Sequence, residues 1–286
     1  MYEIYFVMTV IEMLLLICGG MNPFHAITLS MGTAGTGGFG VLNSSIGSYS
    51  SYCQWVITVF MILFGVNFNA FYFIMLGKVK KFFSVEEVRW YLGIIGTAIV
   101  LITINIYGTY GSLSETVKHV AFQVASVITT TGYSTVDFNL WPLFSRILMV
   151  GLMFIGACAG STGGGIKVSR VVIMLKTVKK ELNNYIHPKS VKKIMFENKP
   201  VEHEVLRAIN VYFITFVALY AGSLILISLE NYDFTTTFTS IVATINNIGP
   251  GLDLVGPSGN FAFWNPFSKC VFMVDMLAGR LELFPL

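Results

Sequence analysis

The run Thr129-Thr130-Thr131-Gly132-Tyr133 separates two long apolar stretches of the chain. Runs of small polar residues and glycine interrupt apolar sequence in the same way at residues 33–39 (TAGTGGF) and 246–250 (NNIGP). Each run follows a long apolar segment, a turn and a short segment with helical character, and another long apolar segment comes after it. Because this order recurs three times, the sequence predicts a repeated structural unit.

The composition is that of an integral membrane protein. The chain has 286 residues, of which 55% are hydrophobic and only 12% are charged, and its mean hydropathy is +0.72. Soluble domains carry about 25% charged residues, and a segment of about 20 apolar residues can cross a bilayer as a helix. We therefore expect an all-α polytopic membrane protein, surrounded by the lipid bilayer and without a nucleic-acid partner.

The basic residues are concentrated in two connectors between apolar segments. Of the 18 lysines and arginines, four lie within residues 77–89 and ten lie within residues 166–207. The loops at residues 43–54 and 253–265 contain none. Since cytoplasmic loops carry the excess of lysine and arginine, both basic connectors are predicted to be cytoplasmic.

Three short helices are predicted ahead of the glycine-ended runs. Their start signals are Asn22 before a proline, Ser112 three residues before a glutamate, and Asp233. A helix of about 10–14 residues is too short to cross the bilayer, so each should enter the membrane and stop within it. The predicted short helices comprise residues 23–31, 114–127 and 234–245. The predicted spans comprise residues 2–17, 52–76, 88–107, the segment from Trp141, 206–229 and 261–286. The resulting units are residues 1–84, 85–200 and 201–286.

Glycine at the end of each polar run suits a filter built from backbone carbonyl groups. Glycine permits a positive φ, so neighbouring carbonyl groups can turn toward a central ion. Each short helix directs the partial negative charge of its C-terminal end toward the membrane centre, which favours a cation there. From the sequence we align Gly37, Gly132 and Gly249 as the equivalent glycines of the three runs.

The apolar segment from Trp141 is interrupted by the stretch GACAGSTGGG at residues 156–165. A glycine costs about 1 kcal/mol in a helix interior relative to alanine, so five glycines in these ten positions predict a break. The expected structure is a broken helix with a loop inside the membrane, where irregular backbone must be buried in protein or line water. A phosphate-binding loop is not indicated, because no Gly-Lys-Ser/Thr follows the glycines.

Four motifs of the chain resemble the Trk/Ktr/HKT superfamily of potassium transporters, and within it the TrkH-type bacterial subunit. They are residues 129–135 (TTTGYST), 156–170 (GACAGSTGGGIKVSR), 243–252 (ATINNIGPGL) and 276–284 (MLAGRLELF). The resemblance implies potassium uptake across the cytoplasmic (inner) membrane, by a transporter rather than an enzyme. It implies four linked helix–pore-helix–helix repeats around one pore, a homodimer, and a cytosolic TrkA-like nucleotide-binding regulatory partner. K⁺ would be the transported ion, no cofactor would be bound covalently, and a nucleotide would act only through the regulatory partner.

The resemblance also implies roles for individual residues. Carbonyl oxygens of the selectivity filter would replace part of the hydration shell of K⁺. The filter would comprise Gly35, Thr36, Gly37, Thr130, Thr131, Gly132, Asn247, Ile248 and Gly249. A gating loop beneath the filter would comprise Gly160, Ser161, Thr162, Gly163, Gly164 and Gly165. Arg280 would lie beside this loop, repelling cations and binding loop carbonyl groups; the alternative is that its side chain extends to the cytoplasmic interface.

The chain departs from the superfamily in having three of the four expected repeats. We expect a fragment that lacks the first repeat, with supply of that repeat by a separate chain as the alternative. A Na⁺-coupled solute symporter also uses broken helices, but its repeats are inverted halves rather than parallel units. An intramembrane serine hydrolase would use Ser161 with His119 as its base and would leave the threefold repeat unexplained. Channel-like flux and symport with H⁺ or Na⁺ both stay open.

Overall fold

The computed structural model describes residues 2–188 and 193–280, which are almost entirely α-helical. Among these residues a single pair of two-residue strands, β1 (Met195–Phe196) and β2 (Lys199–Pro200), forms an antiparallel hairpin. The helices are α1 (Tyr2–Cys18), α2 (Pro23–Ala34), α3 (Ser51–Phe64), α4 (Phe68–Met75), α5 (Val79–Ser84), α6 (Glu86–Asn105), α7 (Leu113–Ile128), α8 (Leu143–Ile155), α9 (Val168–Ile186), α10 (His203–Ile227), α11 (Phe234–Ile245) and α12 (Pro266–Arg280).

The repeated unit consists of a long helix, a short re-entrant helix and a closing helix. The short helices α2, α7 and α11 lie where the sequence predicts them, although α2 and α7 extend a few residues further. Residues 120–128 of α7 and 239–245 of α11 are all buried. Helices enclosed on every side are expected for segments that enter a membrane protein and stop inside it.

Helices long and apolar enough to cross a membrane pack against two of the short helices, α6 against α7 and α10 against α11. By length and composition, two of the described helices can cross a membrane: α6, and α10 together with the 3₁₀ turn Ser228–Glu230 that follows it. The bent α3–α4 pair would be a third if it counted as one span. α6 and α10 expose large apolar side chains such as Ile104 and Ile214. An apolar exterior of this kind suits contact with lipid.

The second predicted span, residues 52–76, is wrong as a single helix. α3 and α4 are separate helices, and their axes differ by 100°. The chain turns at Gly65, where a Cβ atom would lie only 2.2 Å from the Tyr91 hydroxyl oxygen. The side chain of Asn67 then accepts a backbone N–H at the start of α4 and caps it. One glycine followed by a capping asparagine is a weaker signal than a glycine run, and the apolar sequence on both sides masks it.

The predicted break after Trp141 is present. α8 ends at Ile155 and α9 begins at Val168, and residues 156–167 between them form a loop. The two ends of this loop touch, because a Cβ atom on Gly165 would lie 2.8 Å from the Cα atom of Gly156. Both glycines have positive φ, at 74° for Gly156 and 77° for Gly165. Glycine is therefore required here both by the backbone conformation and by the close approach.

The two broken helices are hydrogen-bonded to each other. The Cys158 N–H in the loop donates to the Gly65 carbonyl at 3.0 Å, and the Phe68 N–H in the α3–α4 bend donates to the Gly160 carbonyl at 3.1 Å. Each break leaves backbone N–H and C=O groups without a partner in their own helix, and the other break supplies that partner. Irregular backbone inside the protein is stabilised in this way without lipid contact.

The start of α6, the helix α9 and the β-hairpin form one polar cluster. Lys176 on α9 forms an ion pair with Glu86, and its Nζ donates to the Met195 carbonyl at 2.8 Å. Lys176 and the hairpin belong to the second basic connector, for which the sequence predicts a cytoplasmic position. Lys167 belongs to the same connector in the sequence, but it is buried, and its Nζ donates to the Gly163 carbonyl inside the loop.

The final predicted span, residues 261–286, is described only in part. α12 occupies residues 266–280 of it, preceded by irregular chain. Residues 281–286, which include the end of the motif at 276–284, lie outside the described residues, as do residues 189–192 of the second basic connector.

Candidate functional site

The three short helices end in the same backbone conformation. Just beyond each helix, a backbone N–H reaches back five residues to a carbonyl group, at 2.8 Å for Gly37, 2.9 Å for Thr131 and 2.8 Å for Ile248. This bond and a left-handed residue before it define a Schellman ending. The left-handed residues are Thr36 (φ 47°), Thr130 (φ 55°) and Asn247 (φ 55°).

Two of these left-handed residues are threonines, which rarely adopt a positive φ. A branched Cβ in this region costs on the order of 1–3 kcal/mol and persists only where the surroundings impose it. Both threonine side chains contact the loop at residues 156–167. Thr36 Oγ1 donates to the Thr162 carbonyl at 3.0 Å, and Thr130 Oγ1 accepts the Gly164 N–H at 2.6 Å. The strained residues therefore join the ends of the short helices to the loop.

A glycine with positive φ follows each Schellman ending. The three are Gly38 (φ 68°), Gly132 (φ 88°) and Gly249 (φ 105°). The glycine of the first run that is equivalent to Gly132 is therefore Gly38, and the sequence-based choice of Gly37 is one residue too early. The first run contains two adjacent glycines, and only the backbone hydrogen bonds decide between them.

These glycines pack against carbonyl groups of the next run. A Cβ atom on Gly38 would lie 1.7 Å from the Thr131 oxygen, and a Cβ atom on Gly132 would lie 2.1 Å from the Ile248 oxygen. The three runs thus stand side by side in chain order. Gly249 has no atom of the described residues within 4 Å of its Cβ position. A cavity of about 640 Å³ lies on this side, between the first run, the third run and α12.

The loop lies directly against the ends of the short helices. A Cβ atom on Gly164 would lie 2.7 Å from the Asn246 oxygen, and one on Gly163 would lie 3.1 Å from the Thr129 oxygen. Larger side chains would not fit between the loop and these carbonyl groups. The loop is therefore packed against the C-terminal ends of two short helices, α7 and α11.

The side chain of Arg280 joins the loop to the first run. Its Nη1 donates to the Thr162 carbonyl at 3.1 Å, and its Nη2 donates to the Gly35 carbonyl at 3.3 Å. Arg280 also lines the 640 Å³ cavity. Of the two positions that the sequence leaves open for this side chain, the structure has the one beside the loop.

The family is decided by comparison with known proteins. A family model described as TrkH, cation transport protein, matches residues 3–286. The chain belongs to the TrkH family. It is 35% identical over 290 residues to the Trk system potassium uptake protein TrkH of Escherichia coli K12, covering 100% of this chain and 60% of that protein. It is 33% identical over 273 residues to TrkH of Vibrio parahaemolyticus, covering 93% of this chain and 56% of that protein.

The fold agrees with the family. The crystal structure of the potassium transporter TrkH from Vibrio parahaemolyticus superimposes with a TM-score of 0.92 at 30% sequence identity, over 99% of this chain and 61% of that chain. The chain thus spans about three fifths of the length of these relatives. It is a multi-pass, all-α protein of the cytoplasmic membrane, and its relatives carry transport names rather than enzyme names.

The contacts of this TrkH family member do not support a serine hydrolase. Ser161 Oγ donates to the Cys158 carbonyl at 2.6 Å, whereas His119 Nδ1 lies 3.1 Å from Thr135 Oγ1 and His119 Nε2 lies 3.5 Å from a carboxylate oxygen of Glu115. Each side chain has its own local partner, and no hydrogen bond joins the two. Across residues 2–188 and 193–280, no group of three or more His, Cys, Asp or Glu residues could hold a metal ion.

Two buried charged residues of the site were not singled out from the sequence. Glu87 and Lys167 both contact the loop. Glu87 follows another glutamate at the start of a predicted span, where acidic residues are common because they favour the helix N-terminus. Lys167 sits among nine other basic residues in its connector. The sequence around either residue therefore gave no separate indication that it belongs to the site.

Proposed function

We propose that this chain supplies three of the four walls of a potassium pore and that the complete protein takes up K⁺ across the cytoplasmic membrane. The observation that carries the proposal is the identical ending of α2, α7 and α11, with Gly38 and Gly132 each packed on a carbonyl group of the next run. A ring of backbone carbonyl groups is the usual means of replacing the hydration shell of K⁺. The potassium uptake names of the relatives support the choice of ion.

The proposed filter is the set of three equivalent runs. After alignment by backbone hydrogen bonds it comprises residues 35–38, 129–132 and 246–249, which retain Gly35, Thr36, Gly37, Thr130, Thr131, Gly132, Asn247, Ile248 and Gly249 and add Gly38, Thr129 and Asn246. The helix dipoles of α2, α7 and α11 all end at this filter and favour a cation there.

We propose that the loop at residues 156–167 is the gate. It lies against the inner ends of the runs, and Gly163 and Gly164 allow that close approach, while Gly160 lies against Asn67 and Gly165 against Gly156. Ser161 and Thr162 lie in the same loop, and the Thr162 carbonyl accepts from both Thr36 and Arg280. Moving the loop would break these bonds and open the inner side of the filter, while Arg280 adds a positive charge that opposes cations at the closed gate.

We propose that a fourth run fills the open side of Gly249. The chain spans 60% of the length of its Escherichia coli relative, and the 640 Å³ cavity lies between the third and first runs, where a ring of four would close. On this proposal residues 1–84, 85–200 and 201–286 are the second, third and fourth pore units. A homodimer and a cytosolic TrkA-like nucleotide-binding partner complete the assembly. Selection against Na⁺ is modest, since no run has the full Thr-Val-Gly-Tyr-Gly sequence of dedicated K⁺ channels.

The test is Rb⁺ uptake by the complete gene product in cells deficient in potassium uptake. Expression of the complete protein should restore uptake, and K⁺ should compete more strongly than Na⁺. Uptake of an organic solute driven by Na⁺, without Rb⁺ uptake, would instead favour the symporter. The symporter has less support, because the repeated units run parallel and the relatives are named for potassium uptake.

A further inference from the structure

Glu87 connects three separate irregular points of the fold. This residue lies in the first turn of α6 and is only 2% exposed. Its Oε1 accepts the Ala159 N–H in the loop at 2.7 Å and the Ser169 N–H at the start of α9 at 3.2 Å. Its Oε2 accepts from Asn67 Nδ2 in the α3–α4 bend at 3.4 Å. One carboxylate therefore joins the bend, the loop and the helix that follows the loop.

The backbone donors that Glu87 accepts lack a local partner for structural reasons. α9 begins after Lys167, whose φ is 82° and whose side chain does not cap the helix. The first N–H groups of a helix have no partner within it, and a carboxylate at this end also interacts favourably with the helix dipole. The Ala159 N–H lies in irregular chain, where an unpaired backbone group inside a membrane protein is strongly unfavourable. Glu87 satisfies both from a neighbouring helix.

Two backbone bonds hold the loop to the α3–α4 bend on either side of Ala159. They are the Cys158 N–H to the Gly65 carbonyl and the Phe68 N–H to the Gly160 carbonyl. Glu87 is the one side chain among the described residues that binds the loop between these two bonds and also binds the bend through Asn67. Losing its carboxylate would weaken the contacts between the loop and the α3–α4 bend, while the contacts of Thr36 and Thr130 with the loop would stay in place.

We propose that Glu87 is the positioning residue that holds the loop closed against the filter. The inference rests on the proposed function, since it treats the loop as the gate. Glu87 lies outside the proposed filter and acts through its contacts with the loop, the α3–α4 bend and α9. Loss of its carboxylate should raise the fraction of molecules in which the loop has moved away from the ends of the short helices. Both ion flux and the solvent accessibility of the loop should therefore rise.

The loop carries its own reporter in Cys158. Its side chain is fully buried, and it is adjacent to Ala159. In the complete protein with Cys18, Cys53, Cys270 and any cysteine outside residues 1–286 replaced by serine, we would measure the rate at which a small methanethiosulfonate reagent labels Cys158, together with Rb⁺ uptake. Losing a buried hydrogen-bond acceptor costs about 1–3 kcal/mol, so Glu87→Ala should raise the labelling rate by at least about fivefold. Rb⁺ uptake should rise in the same variant.

The matched control is Glu86→Ala. Glu86 is the adjacent acid on the same helix, but it contacts Lys176 and the Glu197 N–H rather than the loop. This change should leave the labelling rate unaltered. Glu87→Gln keeps one oxygen that can accept both backbone N–H groups, and its labelling rate should stay near that of the unmodified residue.

The outcomes separate this inference from the gate itself. Faster labelling with higher uptake supports both, and faster labelling with unchanged uptake supports the positioning role but overturns the loop as the gate. If Glu87→Ala does not elute as a folded protein, Glu87→Asp, which withdraws the carboxylate by one methylene, replaces it. An unchanged labelling rate in whichever of these two variants is folded would overturn the inference.

Discussion

The outer, N-terminal ends and the inner, C-terminal ends of α2, α7 and α11 are stabilised by different contacts. At the outer ends, Asn22, Ser112 and Asp233 are exposed, and each accepts a backbone N–H of its own helix. At the inner ends, the chain is held by other runs, through glycines that press on carbonyl groups and threonines that contact the loop. The outer ends are thus stabilised locally, while the inner ends depend on contacts between the runs and with the loop. We expect the effects of substitution to fall from the inner ends to the outer ends.

The largest effect is expected at Gly132. In Gly132→Ala, the added Cβ atom would lie 2.1 Å from the Ile248 oxygen. Relieving such an overlap costs about 1–3 kcal/mol, and the positive φ costs alanine a further 1–2 kcal/mol or so. Both costs fall on the filter, so the complete protein should lose most of its Rb⁺ uptake and its preference for K⁺ over Na⁺.

The control for Gly132→Ala is the same change in an open position. A Cβ atom on Gly93 of α6 meets nothing within 4 Å, and alanine is the better helix former. Gly93→Ala should therefore leave uptake unchanged. Normal uptake and ion preference in Gly132→Ala would show that the second and third runs are not packed together as described.

The second prediction tests the alignment of the first run. A Cβ atom on Gly38 would lie 1.7 Å from the Thr131 oxygen, whereas one on Gly37 would come no closer than 3.6 Å, to the ring of Phe39. Gly38→Ala should therefore reduce Rb⁺ uptake nearly as much as Gly132→Ala, and Gly37→Ala should reduce it little. Uptake assays of the two variants at matched expression decide the point, and the reverse order would restore Gly37 as the equivalent glycine.

The alignment of the first run shows where sequence reasoning stops. Helix starts are read from side chains close in the chain, and all three predicted caps are present. The glycine content also predicts the α8–α9 break. The choice between Gly37 and Gly38 depends on which residue closes the backbone hydrogen bond at the end of α2. The α3–α4 bend and the contacts of Glu87 depend on residues far apart in the sequence. Such contacts leave no periodic or compositional signal in a single chain.

The third prediction concerns the link between the loop and the first run. Arg280→Ala removes hydrogen bonds to the Thr162 and Gly35 carbonyl groups. Because it also removes a positive charge next to the cavity, Rb⁺ uptake should rise several-fold. Lys269→Ala is the matched control, since Lys269 lines the same cavity from α12 but donates to the Ala262 carbonyl instead of the loop. It should change uptake less.

A deletion of residues 159–164 sharpens the third prediction. The deletion should also raise uptake, and combining it with Arg280→Ala should give less than the sum of the two effects in free energy, because both act on one contact. Strictly additive effects would keep the loop as a barrier and reject its pairing with Arg280.

The smallest effect is expected at the outer end of α11. Asp233 Oδ2 accepts the Thr236 N–H at 3.0 Å, and replacing an N-cap aspartate by alanine typically costs about 1 kcal/mol of stability. Burial acts to raise the pKa of Asp233, but hydrogen bonds from Thr236 and from the backbone N–H groups of Thr235 and Asp233 together outweigh it, and the pKa is lowered overall. A carboxyl whose pKa is lower in the folded state stabilises the protein above its unfolded pKa of about 3.9, and this contribution is lost as the pH falls through the folded pKa.

Asp233→Ala should thus lower the thermal midpoint of the purified complete protein at pH 7 and leave Rb⁺ uptake unchanged. Asp233→Asn keeps the cap without the charge, so its midpoint should stay near that of the unmodified protein at pH 7. A large loss of uptake in Asp233→Ala would mean that the outer ends of these helices are coupled to the filter, and the contrast between the two ends would fail.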